Sequence, residues 1–127
     1  MASYVLDASA ALAMLDHEPG ADMVAEHISD SVISSVNAAE VVTKLVRDGL
    51  DPATATLIVE TLPCPTRPVD ARTGYRAGEL YAVTAARGLS LGDRVCIAFA
   101  EAQGLPVLTT DRAWRGLPLP IEVITLR

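Results

Sequence analysis

The stretch Leu89–Trp114, LSLGDRVCIAFAEAQGLPVLTTDRAW, constrains the fold more than any other part of the chain. It reads as a helix from about Leu91 to Gln103, a Gly104-Leu105-Pro106 turn, a buried strand Val107-Leu108-Thr109, and then an acid, Asp111. Ser90 and Asp93 stand where that helix should start. If helix and strand run antiparallel, Asp93 and Asp111 arrive at one rim despite their distance in sequence.

The rest of the chain repeats this alternation. Tyr4-Val5-Leu6 reads as a buried strand ended by Asp7, and Ala8 to Leu15 as a helix that Asp7 can cap. Asp16 to Gly20 breaks it, and Ala21 to Ile28 is helical again. Val32-Ile33-Ser34 is a second strand. Asn37 is expected to cap a helix from Ala38 to about Arg47, which Gly49 ends. Asp51-Pro52 opens a helix from Ala53 to about Thr61. Leu62 to Val69 is extended and Pro-rich, which suits an edge strand. A helix from Thr73 to Arg87 closes at Gly88. Arg112 to Pro120 reads as a loop or short turn, and Ile121 to Leu126 as a last strand. Strands alternating with helices call for a parallel sheet with right-handed crossovers. No repeat, linker or low-complexity segment interrupts the pattern, so a single domain over residues 1–127 is expected.

Composition agrees. Half of the residues are hydrophobic but only 4% are aromatic, so the core must be built from Val, Leu, Ile and Ala. That favours an α/β fold over an aromatic-rich sandwich. No apolar run approaches the ~18 residues of a membrane span, and no basic segment precedes an apolar one at the start, so neither membrane nor signal peptide is expected. Cys64 and Cys96 make no disulfide framework; Cys96, in an apolar helix, reads as a small buried hydrophobe. The cytoplasm is the expected compartment.

Four acids stand out by position. Each has an ordinary explanation: Asp7 and Asp111 as caps, Asn37-x-x-Glu40 and Ser90-x-x-Asp93 as capping boxes. Together they say more. In a parallel α/β sheet the carboxyl ends of the strands and the N-termini of the returning helices share one edge, where such folds bind ligands. Asp7 and Asp111 follow strands; Glu40 and Asp93 begin helices; all four belong to that rim. Like charges so gathered must be spread apart, protonated or shared around a cation. Oxygen-only ligands suit Mg²⁺ or Mn²⁺, and no His or Cys is placed for zinc. Asp70 also follows a strand, but the peripheral Pro-rich one, and is set aside. The remaining acids read as surface charge. A net charge of −6 with nine Arg and one Lys argues against a binder that works through a broad basic face. It fits acids neutralised by metal ions, or a basic partner.

At these residues the sequence resembles the PIN-domain nucleases, and within them the VapC-type toxins of toxin–antitoxin pairs. The match is a set of short motifs in order: Val5-Leu6-Asp7-Ala8-Ser9, Asn37-Ala38-Ala39-Glu40-Val41, Leu89-Ser90-Leu91-Gly92-Asp93 and Pro106-Val107-Leu108-Thr109-Thr110-Asp111-Arg112-Ala113-Trp114. The set is specific where each motif alone is weak. It implies an α/β/α sandwich around a parallel sheet of about five strands in the order 3-2-1-4-5. It also implies metal-dependent hydrolysis of RNA and a cognate VapB-like antitoxin whose Arg can enter the site. A homodimer is expected, with the apolar faces around Ala8 to Leu15 and Val41 to Val46 as candidate partner or dimer surfaces. Asp7 and Asp93 would be the main Mg²⁺ ligands and Asp111 would complete the site. Glu40 would hold a water of the ion or orient the attacking one. Ser9, Thr109 and Thr110 would hydrogen-bond the carboxylates. Arg94, Arg112 and Arg115 neighbour the acids in sequence and are candidates to meet substrate phosphates, with Arg72 and Arg76 beside Tyr75 as a second contact. One departure stands out: many relatives carry a further acid shortly after the last motif, and here none follows Asp111 until Glu122. A phosphoacceptor domain of the response-regulator kind also gathers acids and Mg²⁺ at this edge. It calls for adjacent acids after the first strand and a Lys near the last, and this chain has Ala8 after Asp7 and Lys44 as its one Lys. A PIN-like module that binds RNA or protein without cleaving it is the remaining alternative.

Overall fold

The computed structural model describes residues 1–127. Five strands form one parallel sheet in the order β3-β2-β1-β4-β5, as the resemblance implied. They are β1 (Tyr4–Leu6), β2 (Ser31–Ser34), β3 (Thr66–Arg67), β4 (Val107–Thr109) and β5 (Val123–Thr125). The central strand β1 pairs Val5 with Val32 on one side and with Val107 on the other. The Pro-rich strand is at the edge, two exposed residues long.

The helices are α1 (Ala8–Leu15), α2 (Ala21–His27), α3 (Ser35–Arg47), α4 (Pro52–Glu60), α5 (Ala71–Glu79), α6 (Tyr81–Thr84) and α7 (Leu91–Gln103). They cover both faces of the sheet. The pleat sends successive side chains of β1 to opposite sides. Leu6 and Leu108 join a core with Ala10 and Ala11 of α1, Val41 and Leu45 of α3, and Val59 of α4. Val5 and Val107 join the other, with Ala77 of α5 and Ile97 and Phe99 of α7, and Trp114 fills its edge. Strands buried on both faces are therefore continuous apolar runs rather than alternating ones. Both cysteines are free and buried. No helix is long and apolar enough to cross a membrane.

Three elements differ from the sequence reading. Helix α3 starts three residues earlier than expected, because Ser34 rather than Asn37 is its N-cap: the Ser34 hydroxyl accepts from the Asn37 amide at 3.0 Å. The helix expected from Thr73 to Arg87 bends at Leu80 into α5, α6 and a 3₁₀ turn over Ala85–Arg87. Gly74 and Gly78 weaken it, and the bend buries Leu80 in the core. The last strand is confined to Val123–Thr125. Just beyond it the Leu126 carbonyl packs where a side chain at Gly20 would stand, and Gly20 itself has φ +95°.

Candidate active site

Asp7 sits at the carboxyl end of the central strand, where the switch in strand order opens a crevice. It occupies the N-cap position of α1, yet its carboxylate makes no capping bond. Instead Oδ2 accepts from the Ser9 hydroxyl at 2.6 Å and from the Thr109 hydroxyl at 2.9 Å. Each hydroxyl carries one proton, so both are committed to Asp7 and their own 3.1 Å contact is not a further bond. Their lone pairs are fixed in turn: Thr110 N–H donates to Ser9 Oγ at 3.2 Å and Asp111 N–H to Thr109 Oγ1 at 3.0 Å. The backbone after β4 thus orients the acid after β1, and Oδ1 is left without a protein partner. Asp7 is only 2% exposed. Burial raises its pKa to about 6, against the lowering effect of the two hydroxyls, and the charges of Asp93 and Glu40 raise it further.

Glu40 lies in the second turn of α3 and reaches towards the start of α7. Asn37, fully buried, joins the two helices by donating from Nδ2 to Glu40 Oε1 at 2.7 Å and to the Gly92 carbonyl at 3.0 Å. A Cβ at Gly92 would overlap the Glu40 carboxylate. Partial burial raises the Glu40 pKa, opposed by the Asn37 amide and reinforced by the charge of Asp93. Asp93 and Ser90 form a true capping box: Ser90 N–H donates to Asp93 Oδ2 at 2.9 Å, and Asp93 N–H to Ser90 Oγ at 3.2 Å. Its pKa is raised by burial first; the bonds from Ser90 lower it, the Asp111 charge raises it and Arg94 lowers it. Asp111 caps the 3₁₀ turn Arg112–Trp114, accepting from Ala113 N–H at 2.9 Å through Oδ1.

Asp7, Glu40 and Asp93 line one cavity of about 530 Å³ between α1 and α3. Asp111 stands outside that lining, near enough for its charge to act on Asp93. Ser9 lines the cavity and Thr109 is buried against Asp7; Thr110, also buried, bonds none of the acids through its hydroxyl and contributes its backbone N–H to Ser9 instead. The three arginines are elsewhere. Arg94 turns to α5 and α6, donating to the Ala77 carbonyl at 3.1 Å with its guanidinium 5.4 Å from the Tyr81 ring centre. Arg112 and Arg115 are exposed and do not line the cavity. Arg76 is held by Glu101, at 2.8 Å from its Nε. Asp70 caps α5 through Thr73 N–H at 2.9 Å. Asn37 is inside the helix rather than at its cap, and Lys44 and Arg47, which no sequence motif singles out, also line the cavity; their spacing from Glu40, four and seven residues along one helix, is the signal that places them there.

No three His, Cys, Asp or Glu side chains converge closely enough to hold a metal ion as they stand. The donor set nevertheless suits a hard cation. Every one of the four acids uses one oxygen in a hydrogen bond that fixes it and keeps the other free: Asp7 Oδ1, Glu40 Oε2, Asp93 Oδ1 and Asp111 Oδ2.

Fold and pocket together define a parallel α/β domain with a carboxylate-lined cavity at the carboxyl edge of its sheet. The chain belongs to the PIN domain family, which it matches over residues 4–118. Among solved structures it is similar to DNA-bound VapBC from Salmonella typhimurium, with 19% identity, all of both chains covered and a TM-score of 0.75. It is also similar to a toxin–antitoxin complex from Klebsiella pneumoniae, with 16% identity, 98% of each chain covered and a TM-score of 0.76. VapBC2 from Rickettsia felis, bound to a promoter DNA fragment, has 16% identity, 98% coverage of each chain and a TM-score of 0.73. No curated protein sequence matches the chain.

Proposed function

We propose that the chain is a Mg²⁺-dependent endoribonuclease, the toxin of a VapBC-type pair. The observation that carries this reading is the set of four carboxylates, each fixed by one oxygen and free at the other, at the edge where a PIN domain presents its acids. The toxin–antitoxin complexes among the structural neighbours support a VapB-like antitoxin as partner. A homodimer and a cytoplasmic location complete the proposal.

Asp7 and Asp93, with Asp111 beside them, would hold Mg²⁺ or Mn²⁺. When bound, the ion lowers the pKa of water and stabilises charge on the phosphoryl oxygens. The chain's own residues do the rest. Ser9 and Thr109 hold Asp7 in one rotamer so that Oδ1 faces the site. Asn37 holds Glu40 by Oε1, leaving Oε2 to orient the attacking water and take its proton. The water oxygen forms the new bond to phosphorus, the P–O3′ bond breaks, and the departing O3′ takes up a proton. The products are a 5′-phosphate and a 3′-hydroxyl, and the ribose 2′-hydroxyl plays no part.

Labelled RNAs incubated with the purified chain in Mg²⁺ or EDTA, beside Asp7→Asn, Asp93→Asn and Glu79→Gln, test the reading. Cleavage that needs Mg²⁺, disappears in both Asp variants and survives in Glu79→Gln is the expected result. Equal cleavage by the Asp variants would refute it. The spacing of the carboxylates, too wide for three to share an ion as they stand, favours one second reading, a PIN-like module that binds RNA or protein without cutting. Binding without cleavage would select it.

A further inference from the structure

The cavity that holds the acids continues along α3 and changes sign as it goes. One wall is a single helix face, Glu40, Thr43, Lys44 and Arg47; the other is α1, with Ser9 and Leu12. At the helical rise Lys44 stands about 6 Å and Arg47 about 10 Å beyond Glu40 along the axis, and their long side chains can spread to neighbouring phosphates of a strand laid along the helix. These are the cavity's two cations. Without them it would present only carboxylates to a polyanion.

Both are available. Arg47 is exposed and makes neither a salt bridge nor a side-chain hydrogen bond. Lys44 is paired with Asp48, 2.7 Å away, but the two side chains are 42% and 44% exposed. An exposed i,i+4 pair of this kind adds little stability and opens readily. Asp16, at the end of α1, also acts on Lys44. Lys44 and Arg47 therefore give the end of the cavity away from Asp7 and Asp93 the positive charge that a phosphate backbone would meet.

We propose that Lys44 and Arg47 are positioning residues that hold the RNA backbone to one side of the scissile bond. Lys44 leaves Asp48 for the phosphate adjacent to the scissile one, and Arg47 takes the next. The inference rests on the nuclease reading, and the experiment separates the two.

Lys44→Ala/Arg47→Ala is compared with the wild type and with Lys44→Arg in two arms. The first measures cleavage of a fluorescent single-stranded 12-mer RNA in Mg²⁺. KM should rise about tenfold in the double variant with kcat nearly unchanged, as loss of uniform binding requires, and Lys44→Arg should remain close to the wild type. The second measures binding of the same RNA in an Asp7→Asn background across a salt series. The slope of log K against log salt should fall in magnitude by about 1.4, at about 0.7 per phosphate contact on a single strand. Unchanged slope and KM overturn the proposal, whether or not the chain cleaves RNA. So does a loss confined to kcat, which would place these residues in the chemistry. No cleavage by the wild type, with the slope change intact, would support backbone binding by Lys44 and Arg47 and remove the nuclease reading.

Discussion

Asp7→Asn should make the metal-free protein more stable, and only above acidic pH. The buried carboxyl has a pKa of about 6 against an ordinary value of 3.8, so its ionised form is about 3 kcal/mol less stable in the fold than in the unfolded chain. Between those two values the native state keeps a proton that the unfolded chain has released. Stability therefore falls as pH rises through the window and stays lowered above it. Asn approximates the protonated acid: its carbonyl can still accept from Ser9 and Thr109, and it never ionises. At pH 4 the variant should differ from the wild type by less than about 1 kcal/mol, and at pH 7.5 it should be more stable by about 3 kcal/mol. For a chain of 127 residues the latter corresponds to about 10 °C in Tm. Part of that figure is the repulsion of Asp7 by Asp93 and Glu40, which the substitution removes together with the desolvation cost. The measurement is urea denaturation in EDTA at both pH values, with m compared to confirm that the unfolding transition is the same. A gain of equal size at the two pH values, or destabilisation at pH 7.5, would show that the carboxylate is not held against its desolvation. The same substitution should abolish cleavage, so the site's function would be set against its stability.

Added Mg²⁺ or Mn²⁺ should stabilise the wild type in a concentration-dependent way, by about 3 kcal/mol at 100 times Kd, and raise its Tm accordingly; Asp7→Asn/Asp93→Asn should show no such rise by differential scanning fluorimetry. Asn37→Ala strands the Glu40 carboxylate and the Gly92 carbonyl that its amide joins. Urea denaturation should show a loss of about 1–3 kcal/mol, and cleavage should fall because Glu40 is no longer held. Gly92→Ala places a methyl group on the Glu40 carboxylate; the circular dichroism spectrum should persist while cleavage falls at least as far as in Glu40→Gln.

What the sequence made legible follows from what periodicity and edge logic can see. The strand order came from the resemblance, and the apolar strands with their helix spacing came from the residues, because strands buried on both faces cannot be mistaken for surface. The four acids were legible because topology alone brings strand ends and helix starts to one edge. Their partners were less so. Asn37 matches a capping-box pattern, but Ser34 is also a good cap and lies at the end of β2, and local propensity does not choose between two candidates three residues apart. Placing Asn37 in the helix turns its side chain inward and makes it the link to Gly92. The arginines failed for a related reason. Arg94 is next to Asp93 in sequence, but neighbours on a helix point about 100° apart, so Arg94 meets Tyr81 while Asp93 lines the cavity. The same rule brings Lys44 and Arg47 onto the face of Glu40.

The capping and chemical readings of the acids also turn out not to compete. A carboxylate has two oxygens. Asp93 gives Oδ2 to the Ser90 amide, Asp111 gives Oδ1 to the Ala113 amide, Glu40 gives Oε1 to Asn37 and Asp7 gives Oδ2 to two hydroxyls. One bond locks the rotamer and the second oxygen remains free; those of Asp7, Glu40 and Asp93 are available to whatever occupies the cavity. An acid with both oxygens free would have to lose side-chain entropy on binding a ligand; an acid with both engaged would have none to offer. The half-engaged arrangement pre-positions the free oxygens through backbone amides and the side chains of Ser9, Thr109 and Asn37. Asp7, Glu40 and Asp93 nevertheless have raised pKa values. The internal bonds lower each pKa, but burial and mutual repulsion outweigh them, and the remaining electrostatic cost is what a cation in the cavity would relieve.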